Sequence, residues 1–470
     1  MMRSISADIC VIGAGSAGLS VAAGAAQLGK RVVLCEKGKM GGDCLNYGCV
    51  PSKALIAAAS AAATARSASK FGVSVGEPRT EFASVMDHVQ SVIDAIAPHD
   101  SQERFEGLGV TVIREAASFI DARRIRAGET VISAKFFVIA TGSSAFIPPI
   151  DGIEDVPYFI NETIFSNRVL PDHLIIIGGG PIGVELAQAH RRLGARVTIV
   201  EANRILNKED PDAAELVRKA LTEEGVSVRE GSAVKSVSTQ GDEVEVLLAG
   251  GTIKGSHLLI AVGRRANLTG LDLQKAGVRL SKDAIELDLR LRTSNKRIYA
   301  IGDAAGGAQF THLAGDHAST FIRNALFKMP AKRRDALCPR VTYCDPEIAT
   351  IGLAEEEARK VDPGARSVQW DFKDNDRAQA EKRTEGFAKI VVGRKGKILG
   401  ATIVGKAAGD HLQPLALAIA NGMKIGAFTA MIAPYPTRGE VLKRAAGAWY
   451  APTLFSDRTR SVVRLLSLFD

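Results

Sequence analysis

Two stretches of the chain repeat one order of apolar and polar positions. "ADICVIGAGSAGLSVAAGAAQLGKRVVLCEK" and "HLIIIGGGPIGVELAQAHRRLGARVTIVEA" each pass from a short apolar run into a glycine turn. A segment rich in Ala and Leu follows, then a second apolar run closing on glutamate. Unbroken apolar runs suit strands covered on both faces of a parallel sheet, and the middle segment suits a helix, so each copy predicts a β-α-β unit. The copies align without a gap: Gly13, Gly15 and Gly18 fall on Gly178, Gly180 and Gly183, and Glu36 falls on Glu201.

Three further apolar runs fit the same sheets. "VIATGSSAFIPPIDGI" (138–153) reads as a strand and a Pro-rich crossover, and "HLLIAVGRRANLTGL" (257–271) as a strand and turn closing the second unit. "RIYAIGDAAGG" (297–307) is another strand ending in glycines, with Asp303 at its tip. From about residue 339 the pattern changes. "PRVTYCDPEIATIGL" and "FAKIVVGRKGKILGATIVG" suggest antiparallel strands with a polar hairpin at "GRKGK", and "HLQPLALAIANGMKIGAFTAMI" suggests helices. A separate α+β domain is expected there.

The repeated pattern carries its own chemistry. Glycines allow a tight turn and close backbone approach to a pyrophosphate, whose charge the following helix N-terminus stabilises. A carboxylate ending the second strand accepts hydrogen bonds from ribose hydroxyls. Two copies therefore predict two dinucleotide sites, with Gly13, Gly15, Gly18 and Glu36 at the first and Gly178, Gly180, Gly183 and Glu201 at the second. Asp303 reads either as a turn aspartate, the favoured reading for the residue taken alone, or as a group reaching a cofactor phosphate or ribitol. Glu201 would repel a 2′-phosphate, which favours NADH over NADPH, although Arg204 lies close in sequence.

"GGDCLNYGCVPSK" (41–53) sets Cys44 and Cys49 five residues apart. In a regular helix that spacing separates Cα atoms by roughly 8.6 Å, beyond the about 6.8 Å a disulfide tolerates. Proline favours the first helical position, so a helix starting at Pro51 leaves both cysteines in an irregular approach. Cys49 would then lie just ahead of the helix N-terminus, whose dipole favours a thiolate, with Lys53 in the first turn. Buried free thiols, or two ligands of a metal site, are the other readings; no further Cys or His with ligand spacing accompanies them. Cys10 and Cys35 fall in predicted buried strands, and Cys338 and Cys344, the latter in a predicted strand, read as structural.

Length and composition narrow the partners. The 470 residues, 46% hydrophobic and 24% charged, exceed one hydrophobic core. No run reaches the roughly 18 apolar residues of a membrane span, and the opening residues lack the pattern of a secretory signal, so the cytosol is the expected compartment. Six cysteines are too sparse for a secreted disulfide scaffold. The net charge of +8 is spread among acids, which argues against nucleic acid and suits anionic cofactors.

Two dinucleotide units, the C-x4-C-V-P-S-K segment, "ATG" at 140–142, "IGD" at 301–303 and the C-terminal α+β region together resemble the FAD-containing pyridine nucleotide-disulfide oxidoreductases, over about residues 6–450. The resemblance implies an α/β fold with two Rossmann-like domains and a C-terminal α+β dimerisation domain. An FAD domain would span 1–149 and 268–335, an NAD(P) domain 150–267, and the dimerisation domain 336–470. It implies that Cys44 and Cys49 form a redox-active disulfide, Cys44 meeting substrate and Cys49 in charge transfer with the flavin. Lys53 would lie near flavin N5, paired with Glu185, and Gly42, Thr141, Gly142 and Gly263 would join the cofactor-binding set. The expected enzyme is a homodimer with an active site shared between subunits, using NAD(P)H and a small thiol, disulfide or metal-ion acceptor.

One position departs from the family's pattern. "APYPTRGEVLKRAA" (433–446) places Tyr435 where disulfide reductases carry an acid-base histidine, while the orienting Glu440 remains. An unperturbed tyrosine titrates near 10 against about 6.5 for histidine, so it shuttles protons poorly at neutral pH. The segment is similar to that of mercuric reductases, though the chain has neither their C-terminal vicinal cysteines nor an N-terminal metal-binding domain. A mercuric-reductase-like activity is therefore expected, with dihydrolipoyl dehydrogenase, or a non-enzymatic redox sensor or electron carrier, as the alternatives. The ending "FSDRTRSVVRLLSLFD" is amphipathic and suited to docking on the partner subunit or touching a membrane surface.

Overall fold

Both repeated stretches fold as their apolar periods require in a computed structural model that describes residues 3–469. Asp470, the last residue of the amphipathic ending, lies outside the described residues. The chain divides into two compact units, one reaching to Ala202 and resuming over Gly231–Asp335, the other formed by Asn203–Glu230 and the chain from Ala336 onward.

In the first unit, strand Arg3–Ile12 leads through the glycine turn into helix Ser16–Gln27 and strand Val32–Cys35, which pairs in parallel with the first strand. Strand Thr130–Ile139 lies on the other side of Arg3–Ile12 and carries Ile298–Ala300 beside it, both pairings parallel. The second copy repeats the plan: His173–Ile177, helix Pro181–Leu193 and Arg196–Val200, with His257–Ile260 parallel to His173–Ile177. Cys10 and Cys35 are buried in the first sheet, as their apolar context predicts.

The glycines have the same steric reason in both copies. Gly13 and Gly178 adopt φ of +107° and +114°. A Cβ at Gly13 would lie 2.3 Å from the Ala140 carbonyl oxygen, and one at Gly178 2.4 Å from that of Ala261. A Cβ at Gly18 would stand 1.9 Å from the Gly13 carbonyl oxygen, and one at Gly183 2.0 Å from that of Gly178. The helix thus packs against its own turn at a distance only glycine permits.

The cysteine segment differs from its expected form. Cys44 lies within a short helix, Gly42–Asn46, and the long helix begins at Cys49 rather than Pro51, running Cys49–Ser67. Tyr47 and Gly48 break the two helices, Gly48 with φ −123° and ψ −111°. Proline needs no amide hydrogen anywhere in the first turn, so Pro51 fits two residues further in.

In the second unit, an antiparallel sheet runs in the order Arg340–Thr342, Glu347–Gly352, Ile398–Gly405, Phe387–Val392, Arg366–Asp371. The polar hairpin falls at 393–397 as its composition predicts, and helices Ala408–Ala420 and Glu440–Leu454 share a core with the sheet. Within this unit Lys389 pairs with Asp210 at 2.8 Å and Asp212 at 2.9 Å. Cys344 is not in a strand, because pairing stops at Thr342. It is buried in the following turn with its thiol donating to the Pro346 carbonyl at 3.1 Å. The chain's ending forms helix Asp457–Leu466, with no buried residue and with Val462, Val463, Leu465 and Leu466 exposed. No described helix is long and apolar enough to cross a membrane.

Candidate active site

The glycine turns present bare helix N-termini. Neither Ser16–Gln27 nor Pro181–Leu193 has a side-chain cap or an acidic residue in its first turn, so neither helix supplies an anion of its own to its leading amides. Each terminal glutamate folds back on its own turn: Glu36 Oε2 accepts from the Ala14 amide at 2.6 Å, and Glu201 Oε2 from the Gly179 amide at 2.7 Å. This donor set fits a dinucleotide in both copies, with amides for the diphosphate and a carboxylate beside the ribose.

The first site continues into the cysteine segment. Gly42 adopts φ +62°, and a Cβ there would lie 2.6 Å from the Gly15 Cα, so the segment rests directly on the first glycine turn. Asp303 is largely buried, and burial pushes its carboxyl above the usual range while a 2.5 Å hydrogen bond from Ser143 opposes the shift. Thr141 donates to the Asn267 carbonyl at 2.7 Å, and the Asn267 amide donates to the Gly142 carbonyl at 3.0 Å, fixing the turn after strand Thr130–Ile139. Gly263, at φ +136°, turns the chain after His257–Ile260 towards Arg264.

Cys44 is half-buried and Cys49 exposed, and both are free thiols. Their environments drive them apart. The hydrogen bond from Cys44 is the largest influence on Cys49 and lowers its thiol to about 6 against the opposing effect of burial. Thr311 and the Lys53 ammonium add to the lowering. The same hydrogen bond, reinforced by burial, raises Cys44. Thr311 Oγ1 stands 3.7 Å from Cys49 Sγ. Thiolate absorbance of the reduced protein near 240 nm should therefore rise with a midpoint near pH 6; a first thiolate appearing only above pH 8 would contradict this assignment.

Lys53, on the helix that Cys49 opens, meets Glu185 of the second repeat's helix at 2.6 Å. Glu185 is 7% exposed and Lys53 34% exposed, so the pair is partly withdrawn from water. Behind the cysteines, Arg264 pairs with Asp43 at 3.0 Å and donates to Ser143 at 2.8 Å, so the residue before Cys44 and the Asp303 carboxylate share one cation. Asn161 also donates to Asp43, at 3.0 Å. His317, fully buried, accepts the Gly302 amide on Nδ1 at 3.2 Å and faces Asp335 from Nε2 at 3.1 Å, which holds the turn carrying Asp303.

Thr311, Arg264 and His317 carry no motif of their own; only the fold brings them to the cysteine segment and to the turn of Asp303. In the second unit Tyr435 is 70% exposed, and its hydroxyl donates to Asp376 at 3.0 Å. Glu440, the expected orienting acid, is bonded by Arg444 of its own helix at 2.9 Å. Among the described residues no cluster of His, Cys, Asp or Glu is arranged to hold a metal ion.

Residues 7–318 match the model of the pyridine nucleotide-disulphide oxidoreductases, and 338–446 match the dimerisation domain of the same proteins. The chain belongs to this family. It is similar to mercuric reductase from Streptomyces lividans, 32% identical over 451 residues, covering 93% of this chain and 95% of the relative. It is also similar to dihydrolipoyl dehydrogenase from Geobacillus stearothermophilus, 34% identical over 465 residues, covering 94% and 96%. Two solved structures share the fold. The Cu(II) complex of the HOCl-induced flavoprotein disulfide reductase RclA from Escherichia coli aligns at a TM-score of 0.84 and 28% identity, covering 93% of this chain and 99% of that one. LpdA from Mycobacterium tuberculosis aligns at 0.87 and 27%, covering 94% and 99%.

This pyridine nucleotide-disulphide oxidoreductase is thus a flavoprotein with Cys44 and Cys49 as its redox pair. FAD and NAD(P)H are the cofactors typical of its family, and its dimerisation domain implies a homodimer.

Proposed function

We propose that this oxidoreductase takes electrons from NADH and delivers them through Cys44 and Cys49 to a thiol-bound metal ion or an oxidised thiol, as a mercuric-reductase-like enzyme of the cytoplasm. The observation that carries the reading is Tyr435. At the position of the exchange histidine stands a phenol whose hydroxyl is bonded to a carboxylate, and the neighbouring Asp376 holds its pKa above the usual tyrosine value. Such a group does not relay protons near neutrality, which dithiol-disulfide exchange requires and reduction of a thiol-bound cation does not.

The first repeat would hold FAD through Gly13, Gly15, Gly18, Glu36, Gly42, Thr141, Gly142 and Asp303. The second would hold the nicotinamide dinucleotide through Gly178, Gly180, Gly183, Glu201 and Gly263. Bound there, FAD supplies two-electron transfer between the nicotinamide and the cysteine pair. Lys53 keeps a positive charge beside Cys49, and Cys44 is the sulfur that engages the acceptor. In the homodimer Tyr435 and Glu440 would serve the partner subunit's cysteine pair. Support for a metal acceptor also comes from relatives named for mercury reduction and from a Cu(II) complex of a protein sharing the fold.

Anaerobic titration with NADH followed by an acceptor screen tests the proposal: glutathione-bound Hg2+ and Cu2+, lipoamide, glutathione disulfide and quinones. A long-wavelength thiolate-flavin band and turnover on a thiol-bound metal ion are expected. Dihydrolipoyl dehydrogenase is the second reading, favoured by the near full-length likeness to that enzyme. Robust oxidation of dihydrolipoamide with NAD+ at pH 7 would select it instead.

Cofactor choice is a separate expectation. A free 2′-phosphate beside the Glu201 carboxylate is repelled, so kcat/KM for NADH should exceed that for NADPH by roughly tenfold or more. Kinetics that prefer NADPH would overturn the assignment.

A further inference from the structure

We propose that Asp376 is the positioning residue for Tyr435: its carboxylate accepts the phenol's hydrogen bond and turns the oxygen's lone pairs outward, towards a cationic acceptor rather than a disulfide. This deepens the reading that Tyr435 serves the acceptor, and rests on it.

Tyr435 Oη donates to Asp376 Oδ2 at 3.0 Å, so its one hydroxyl hydrogen is already engaged and what remains to offer is an acceptor oxygen. The backbone around it is clamped to helix Asp376–Ala380 at both ends. At the start, Asn375 caps the helix through the Ala378 amide at 3.0 Å and donates to the Thr437 carbonyl at 3.0 Å. Past the end, Glu381 accepts from Arg438 Nε at 2.9 Å while Arg438 Nη2 donates to the Arg383 carbonyl at 2.9 Å. Arg438 is 6% exposed, so this clamp is a buried one.

With residues 437 and 438 fastened to the two ends of this helix, Asp376 accepts the hydroxyl's hydrogen and sets its direction. Glu440 adds negative charge from nearby but is bonded by Arg444. Of the neighbouring cations, Arg377, Lys406 and Arg438 pair with Glu381, Lys373 with Asp371, Arg383 with Asp345 and Arg444 with Glu440. Negative charge therefore dominates at the phenol, which disfavours phenolate and makes the oxygen a better acceptor or ligand. A disulfide needs a proton delivered to its leaving thiolate, and a hydroxyl committed to a carboxylate is poorly set to supply it. A thiol-bound metal cation needs an oxygen donor, which this arrangement offers.

The test uses the FAD-loaded homodimer with Asp376→Ala, Asp376→Asn and Tyr435→Phe, each checked for an unchanged melting temperature. Phenolate absorbance at 295 nm, taken as the difference from Tyr435→Phe, isolates the titration of Tyr435. Its midpoint should move to lower pH in Asp376→Ala and Asp376→Asn. In Asp376→Ala, kcat/KM for glutathione-bound Hg2+ should fall roughly threefold to tenfold with no fall for glutathione disulfide. Reduction by NADH alone should be unchanged. Asp376→Asn, which can still accept the hydrogen bond, should restore most of the metal activity. An unmoved Tyr435 midpoint together with unchanged kcat/KM in Asp376→Ala overturns the proposal. If Tyr435→Phe itself is active as wild type on every acceptor, it is the reading of Tyr435 that fails; if Tyr435→Phe is impaired and Asp376→Ala is not, only the role of Asp376 fails.

Discussion

The Cys44→Ala enzyme is expected to bind FAD and consume NADH with a quinone, yet lose turnover on thiol-bound metal ions and on disulfides by at least about a thousandfold. Cys44 is the sulfur whose environment disfavours the thiolate, and Cys49 the one that is ionised near neutrality. In the proposed mechanism electrons placed on the pair leave through Cys44, while Cys49 stays charged with the Lys53 ammonium favouring its thiolate. Removing Cys44 also removes the hydrogen bond that most lowers Cys49. The remaining thiol should titrate well above pH 6, which a 240 nm titration of the same variant reads independently of activity. Full activity of Cys44→Ala on every thiol and metal acceptor would end the disulfide mechanism.

The sequence disclosed the duplicated units because each of their demands is local. A turn that leaves no room for Cβ requires Gly13 or Gly178, and a strand end that must accept a hydrogen bond requires Glu36 or Glu201. The cysteine spacing likewise announced a break in the helix, although its place, at Tyr47 and Gly48, goes with the close approach of Gly48 to Asp43 and Cys44. Residues that act through distant neighbours were silent. Thr311 reaches Cys49, and Arg264 reaches Asp43, from segments more than two hundred residues away in the chain. Asp376 was equally hidden: nothing in "KDNDRAQAEK" pairs it with a tyrosine, and the bond exists because Asn375 and Glu381 fasten that helix to the 434–438 loop. Tyr435 itself was legible only as a departure from a family pattern; the structure adds which carboxylate it meets.

Replacing Lys53 by methionine should slow reduction by NADH by roughly a hundredfold, the scale of losing one oriented charge from a preorganised site. Lys53 stands between the repeats: its helix begins at Cys49, and its ammonium lies 2.6 Å from Glu185, on the helix of the second glycine turn. One charge therefore acts on the Cys49 thiolate and also compensates a carboxylate that is 7% exposed. Lys53→Met should raise the Cys49 midpoint and lower the melting temperature, since a withdrawn carboxylate loses an ammonium 2.6 Å away. Glu185→Met is expected to be milder on stability, because Lys53 is one-third exposed and can turn towards water. The double variant separates the two roles. Joining two apolar side chains should recover much of the stability lost by Lys53→Met and none of the lost rate. A double variant that regains the rate of reduction by NADH would show that Lys53 serves only to neutralise Glu185.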